Sequence, residues 1–158
     1  MLQENNLTGL LFIIGLFIGS VPCALAGLLA VVSSSIIAKI LKFPECHLSQ
    51  GLYDFSPALV GVALLAIFPS SMLVWLMVIV GGVLSGVLQH ICLVKKLPVY
   101  TLPFIVITWL MYYGLNPLFG VQPFSVQHSE NISVLSYIFR GFGEVIFQSN
   151  LWSGIIFF

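Results

Sequence analysis

The sequence predicts an all-α, polytopic membrane protein, and three observations carry that expectation. Of its 158 residues, 59% are hydrophobic and only 6% are charged, with a mean hydropathy of +1.13. Water-soluble domains carry roughly a quarter charged residues, so a soluble globule is excluded. The apolar residues gather into five runs cut by proline, glycine and charge, several of them close to the ~20 residues a helix needs to cross the hydrocarbon. Five Lys/Arg balance five Asp/Glu. That balance leaves no basic face for nucleic acid and no polybasic stretch for anionic lipid.

The first run reads as a span over Leu7–Val21. Nothing positive precedes it, and Glu4 stands where the basic region of a signal peptide belongs, so a cleaved leader is not expected. The second, Ala24–Leu41, is closed by Lys39 and Lys42, and the third covers Leu52–Phe68. The fourth, Met72–Val94, is closed by Lys95 and Lys96 and carries Gly81, Gly82 and Gly86, which read as helix-packing positions. The fifth covers Val99–Leu115. Pro22, Pro57 and Pro103 are expected to bend or break the regular ladder, which lipid tolerates only where protein or a wet cavity satisfies the freed backbone groups. Five crossings with such interruptions point to a transporter or channel more than to an anchor. With alternating crossings, both lysine pairs fall on the same side as the N-terminus, and the positive-inside bias puts that side in the cytoplasm. Asn116–Arg140 then becomes an external segment.

Cys23, Cys46 and Cys92 are odd in number and widely spaced, with no CxxC pair, so neither a metal nor a disulfide framework is indicated. His47 lies in a short loop beside Glu45 and Cys46, and His90 lies near Lys95 at an interface; two scattered groups do not make a zinc site. No nucleophile–base pair or acidic dyad sits within helical reach inside the spans, so neither an enzyme nor a cofactor is expected. Nor do the spans hold ionisable pairs that could couple an ion gradient, which favours passive movement of a neutral solute.

The most informative feature is a repeat. Leu2-Gln3-Glu4-Asn5-Asn6-Leu7-Thr8-Gly9-Leu10-Leu11-Phe12 aligns with Phe147-Gln148-Ser149-Asn150-Leu151-Trp152-Ser153-Gly154-Ile155-Ile156-Phe157. Chance likeness of apolar runs does not put Gln, Asn and Gly in register. A five-span unit, repeated, must re-enter the membrane from the opposite face, the mark of an inverted-topology repeat with its solute site between the halves. The expected organisation is residues 1–120 as a first five-helix repeat lacking its N-terminal half-helix. Residues 121–158 then supply an external linker, a re-entrant half-helix and the start of a second repeat. The chain reads as one unit plus a stub of the next, cut at both ends.

Three ordered stretches resemble the urea transporter family. Leu97-Pro98-Val99-Tyr100-Thr101-Leu102-Pro103-Phe104 fits its LPxxTxPF signature at every fixed position. Gly51-Leu52-Tyr53-Asp54-Phe55-Ser56-Pro57-Ala58-Leu59-Val60-Gly61 is similar to its GLYGxN-x-x-LVG segment. Arg140-Gly141-Phe142-Gly143-Glu144-Val145-Ile146-Phe147-Gln148-Ser149-Asn150 is similar to its RGxGQVxFxxN segment, which forms a re-entrant half-helix. The resemblance implies a passive urea channel of two inverted halves, usually a homotrimer in which each protomer has its own pore. It implies a narrow slot walled by aromatic rings with a ladder of oxygens along one side. Carried over by motif, Phe55 and Leu59 match slot-wall positions, Thr101 the ladder hydroxyl, and Glu144 the polar residue at the half-helix start. Phe147, in the same half-helix segment, is expected as a further wall residue by the same resemblance.

Each of these residues has a plainer reading. Phe55 is one of thirteen Phe residues and could face lipid or a neighbouring helix. Thr101 could bond back to its own helix, and Glu144 could snorkel to water, although a half-helix start favours a carboxylate at its positive end. Asp54 replaces a Gly and Ser56 an Asn of the family pattern, and Asp54 receives no role. The alternatives to a urea channel are a channel for ammonia, water or short amides, and a non-transporting membrane fragment.

Overall fold

The computed structural model describes residues 6–44, 47, 51–96 and 101–120. They form five α-helices: α1 (Asn6–Gly19), α2 (Val21–Ile40), α3 (Phe55–Ile67), α4 (Met72–Val94) and α5 (Leu102–Phe119). No strand occurs among the described residues. The all-helical expectation holds, and each run of the sequence gives one helix.

Proline behaves differently from the expectation. Pro22 falls in the first turn of α2, Pro57 in the first turn of α3 and Pro103 in the first turn of α5. First-turn N–H groups have no intrahelical partner, so a residue without an N–H costs nothing there. These prolines therefore start helices rather than break them. Ser20, Asp54 and Thr101 stand immediately before the three helices.

Helices α2, α3 and α4 pack into the core, with α5 against α3 and α4 and α1 against α2. The buried face of α2 is made of small residues, Ala26, Gly27, Ala30, Ser34 and Ala38 among them. Its outward face carries Leu25, Leu28, Val32, Ile36 and Ile40. Helix α4 repeats the pattern, burying Gly81, Gly82, Ser85 and Gly86 while Leu76, Ile79, Leu84 and Ile91 face out. A fold built in water does the reverse, because its large apolar side chains gain most by burial. Small residues inside let backbones approach closely, the usual packing of helices in lipid. Close approach is visible at Gly61, where a Cβ would run into the backbone carbonyl of Ala26 on α2.

Both α2 and α4 have the length and composition to cross a membrane, and α3 and the first part of α5 are shorter apolar helices. Chain direction alternates along the bundle. Phe43, just past α2, stacks on His90 near the end of α4 with ring centroids 3.8 Å apart and planes 8° from parallel. Tyr53, just before α3, contacts both rings. The C-terminal ends of α2 and α4 therefore sit side by side with the start of α3. Lys39, Lys42, Lys95 and Lys96 gather at this end, all exposed. At the other end Phe68, which follows α3, meets Tyr112 of α5 at 5.8 Å.

The two histidines are less scattered than their sequence positions imply. His90 Nδ1 lies 3.0 Å and His47 Nδ1 3.3 Å from the Tyr53 hydroxyl. A phenol has one proton to donate, so at least one of these rings donates to the Tyr53 oxygen. Tyr53 is almost fully buried, and this pairing satisfies its hydroxyl. Cys23 and Cys92 are free and buried; Cys46 lies outside the described residues, as does the segment Arg140–Asn150 expected to form a half-helix.

Candidate functional site

Phe55 is the first residue of α3 and Leu59 follows one turn later on the same face. Phe55 is 36% exposed, whereas Leu59 is 9% exposed and belongs to the core cluster. Thr101 immediately precedes α5; its carbonyl accepts from the Ile105 N–H at 3.0 Å, and the residue is exposed. The structure thus puts Phe55 and Leu59 on one helix and Thr101 at the start of the helix packed beside it. Among the described residues no ring contact or hydrogen bond joins Phe55 to Thr101. Glu144 and Phe147 lie outside the described residues.

The turn that delivers Phe55 is held unusually well. Gly51 opens it at φ 63°, a conformation that L side chains rarely adopt. The Leu52 carbonyl accepts from the side-chain amide of Gln89 on α4. The Tyr53 carbonyl accepts from Ser34 Oγ on α2 at 3.0 Å. Asp54 Oδ1 accepts from Ser35 Oγ on α2 at 3.1 Å. Ser34, Ser35 and Gln89 carried no role in the sequence reading; polar side chains inside apolar runs were the available signal, since such groups in lipid must find partners.

A hollow of about 390 Å³ opens between the end of α3 and α5, walled by Ile67, Phe104, Trp109, Tyr112 and Tyr113. Thr108 also lines it. Its Oγ1 is nevertheless sealed from solvent and has no hydrogen-bond partner among the described residues, so the hollow meets the apolar side of Thr108. These aromatic residues were legible as a cluster in the fifth run but were not singled out. The hollow can hold an apolar or aromatic surface; it offers little to a polar solute.

A family model described as urea transporter matches residues 1–158. The chain belongs to the urea transporter family. Urea transporters are membrane-embedded proteins that move solute passively, and the apolar helices here are compatible with membrane segments. Among curated relatives, urea transporter 1 of Ovis aries is 27% identical over 98% of this chain and 45% of that protein. Urea transporter 1 of Capra hircus and that of Mus musculus are each 25% identical over the same shares. The chain therefore spans about half the length of the curated relatives it matches.

Proposed function

We propose that this chain supplies one half of a passive transmembrane urea channel, with Phe55, Leu59 and Thr101 on the solute path. Membership of the urea transporter family over residues 1–158 is the observation that carries this reading. The small-inside, large-outside pattern of α2 and α4 supports a bundle that spans the bilayer several times. The four lysines at one end of that bundle favour a cytoplasmic position for that end and for the N-terminus.

Urea is small, planar, neutral and rich in hydrogen-bonding groups. Moving an amide into an apolar medium without partners costs roughly 4–8 kcal/mol, so the path must replace the lost water. The Thr101 hydroxyl, standing exposed before α5, can accept an amide hydrogen. The Phe55 ring can hold the molecular plane edge-on while offering nothing to a hydrated ion. Selectivity then follows pore shape and the pattern of acceptors. Glu144, at the start of a re-entrant half-helix, and Phe147 complete the same slot in this reading.

The slot closes against a second, oppositely oriented module, in keeping with the echo of Leu2–Phe12 in Phe147–Phe157. Assembly as a homotrimer, each protomer with its own slot, belongs to the same proposal. Stopped-flow urea uptake into proteoliposomes tests it. The chain joined to a second module should take up urea well above empty vesicles, and the 158-residue chain alone should not. Uptake no faster than empty vesicles for the joined protein would defeat the reading. Faster passage of ammonia or water than of urea would move the cargo to those solutes.

A further inference from the structure

Asp54 stands at the N-cap of α3, where a carboxylate ordinarily accepts from the first-turn N–H groups. It makes no such bond, and its backbone is already helical at φ −101° and ψ −32°. The carboxylate is instead turned sideways to Ser35 on α2, at 3.1 Å. A hydrogen bond with one charged partner is about twice as strong as a neutral one, and this one is half-buried, where water competes less. The two residues before Asp54 are also tied across helices, but through their backbone carbonyls, to Ser34 and Gln89. Leu52, Tyr53 and Asp54 are thus fixed by three different side chains, and the next residue is Phe55.

We propose that Ser35 and Asp54 are positioning residues for Phe55. The backbone ties fix where the turn lies; the Ser35–Asp54 bond fixes the rotation of the α3 start about its axis, and so the direction of the Phe55 ring. The pair gives Asp54, a departure from the family pattern, a task that a glycine at this position could not perform. The inference rests on Phe55 being a slot wall only for its consequence to solute passage; the geometry itself does not depend on it.

The test places a para-fluorinated phenylalanine at position 55 of the full chain in lipid nanodiscs and reads its fluorine NMR resonance. The parent, Asp54→Asn and Ser35→Thr keep an acceptor and a donor and are expected to share one resonance position. Asp54→Ala and Ser35→Ala are expected to shift or split it, and the double alanine variant to do so no more than either single one, because one bond is lost in all three. An unmoved resonance in the alanine variants would overturn the proposal. So would loss of helical circular dichroism in both of them, since the bond would then be a requirement of the fold and not a setting for one ring. Titrating urea into the parent joined to a second module, where the slot is closed, separates the two readings. If urea leaves the fluorine signal unmoved while the alanine variants still shift it, the slot-wall reading fails and the positioning pair stands.

Discussion

Gly61 of α3 lies so close to the Ala26 carbonyl of α2 that a single methyl at its Cα would occupy the same space. The same helix pair is joined on its other side at Gly27, where a Cβ would come 3.1 Å from Val62 Cγ2. At Gly61 the first obstacle is backbone, which leaves no soft group to yield. Gly61→Ala is therefore expected to destabilise the bundle by about 1–3 kcal/mol, the range for overpacking a filled core. Gly114→Ala, where nothing lies within 4 Å, should be neutral or slightly stabilising because alanine is the better helix former. Thermal unfolding in detergent, followed by circular dichroism, reads both.

The Tyr53 hydroxyl ties His47 to His90 of α4. Tyr53→Phe keeps the ring against Phe43 but removes both bonds. The expected cost is about 1–2 kcal/mol, at roughly 1 kcal/mol for each hydrogen bond. Unchanged thermal stability in Tyr53→Phe would show that water replaces the hydroxyl without loss.

Thr108 presents the opposite case. Its Oγ1 is buried on α5 without a partner among the described residues, and an unsatisfied buried hydroxyl costs about 1–3 kcal/mol. Thr108→Val keeps the shape and removes the oxygen, so it should raise the unfolding temperature. A lowered unfolding temperature would mean that the hydroxyl is engaged when the protein sits in a bilayer.

Urea flux through the assembled channel should follow the urea gradient alone. Asp54 directly precedes Phe55 in the chain, and its Oδ1 is engaged by Ser35. Collapsing a sodium or proton gradient across the vesicle should leave the initial rate unchanged; a rate that tracks either gradient would contradict passive movement.

Much of the helical layout was legible in the sequence because five apolar runs bounded by charge and glycine leave few other solutions. The prolines were misread for a physical reason: inside an apolar run, a proline that starts a helix and one that breaks it look alike. The distinguishing signal was present in Ser20, Asp54 and Thr101, each two or three residues before a proline and each suited to a helix entrance. Gly82 and Gly86 were readable as packing positions, and they do meet Ala30 and Ser34 of α2. The matching face of α2 was not singled out, although its small residues recur at helical spacing. The meeting of His47, Tyr53 and His90 was beyond the sequence. It depends on α2 and α4 ending side by side, which no local pattern encodes.

For the candidate site, the motifs singled out Phe55, Leu59 and Thr101, and the structure adds how the entrance of α3 is held. Leu59 lies one turn from Phe55 on the same face, and it is packed in the core cluster while Phe55 is open. Exposure depends on neighbours far away in the chain, which a motif does not contain.

The most direct measurement is cysteine accessibility at positions 55 and 101 in the joined two-module protein, with Cys23, Cys46 and Cys92 replaced by alanine. Phe55→Cys and Thr101→Cys should react with a small water-soluble thiol reagent, and saturating urea should slow both reactions. Labelling by a lipid-soluble reagent alone, indifferent to urea, would place both residues against the acyl chains and contradict the channel.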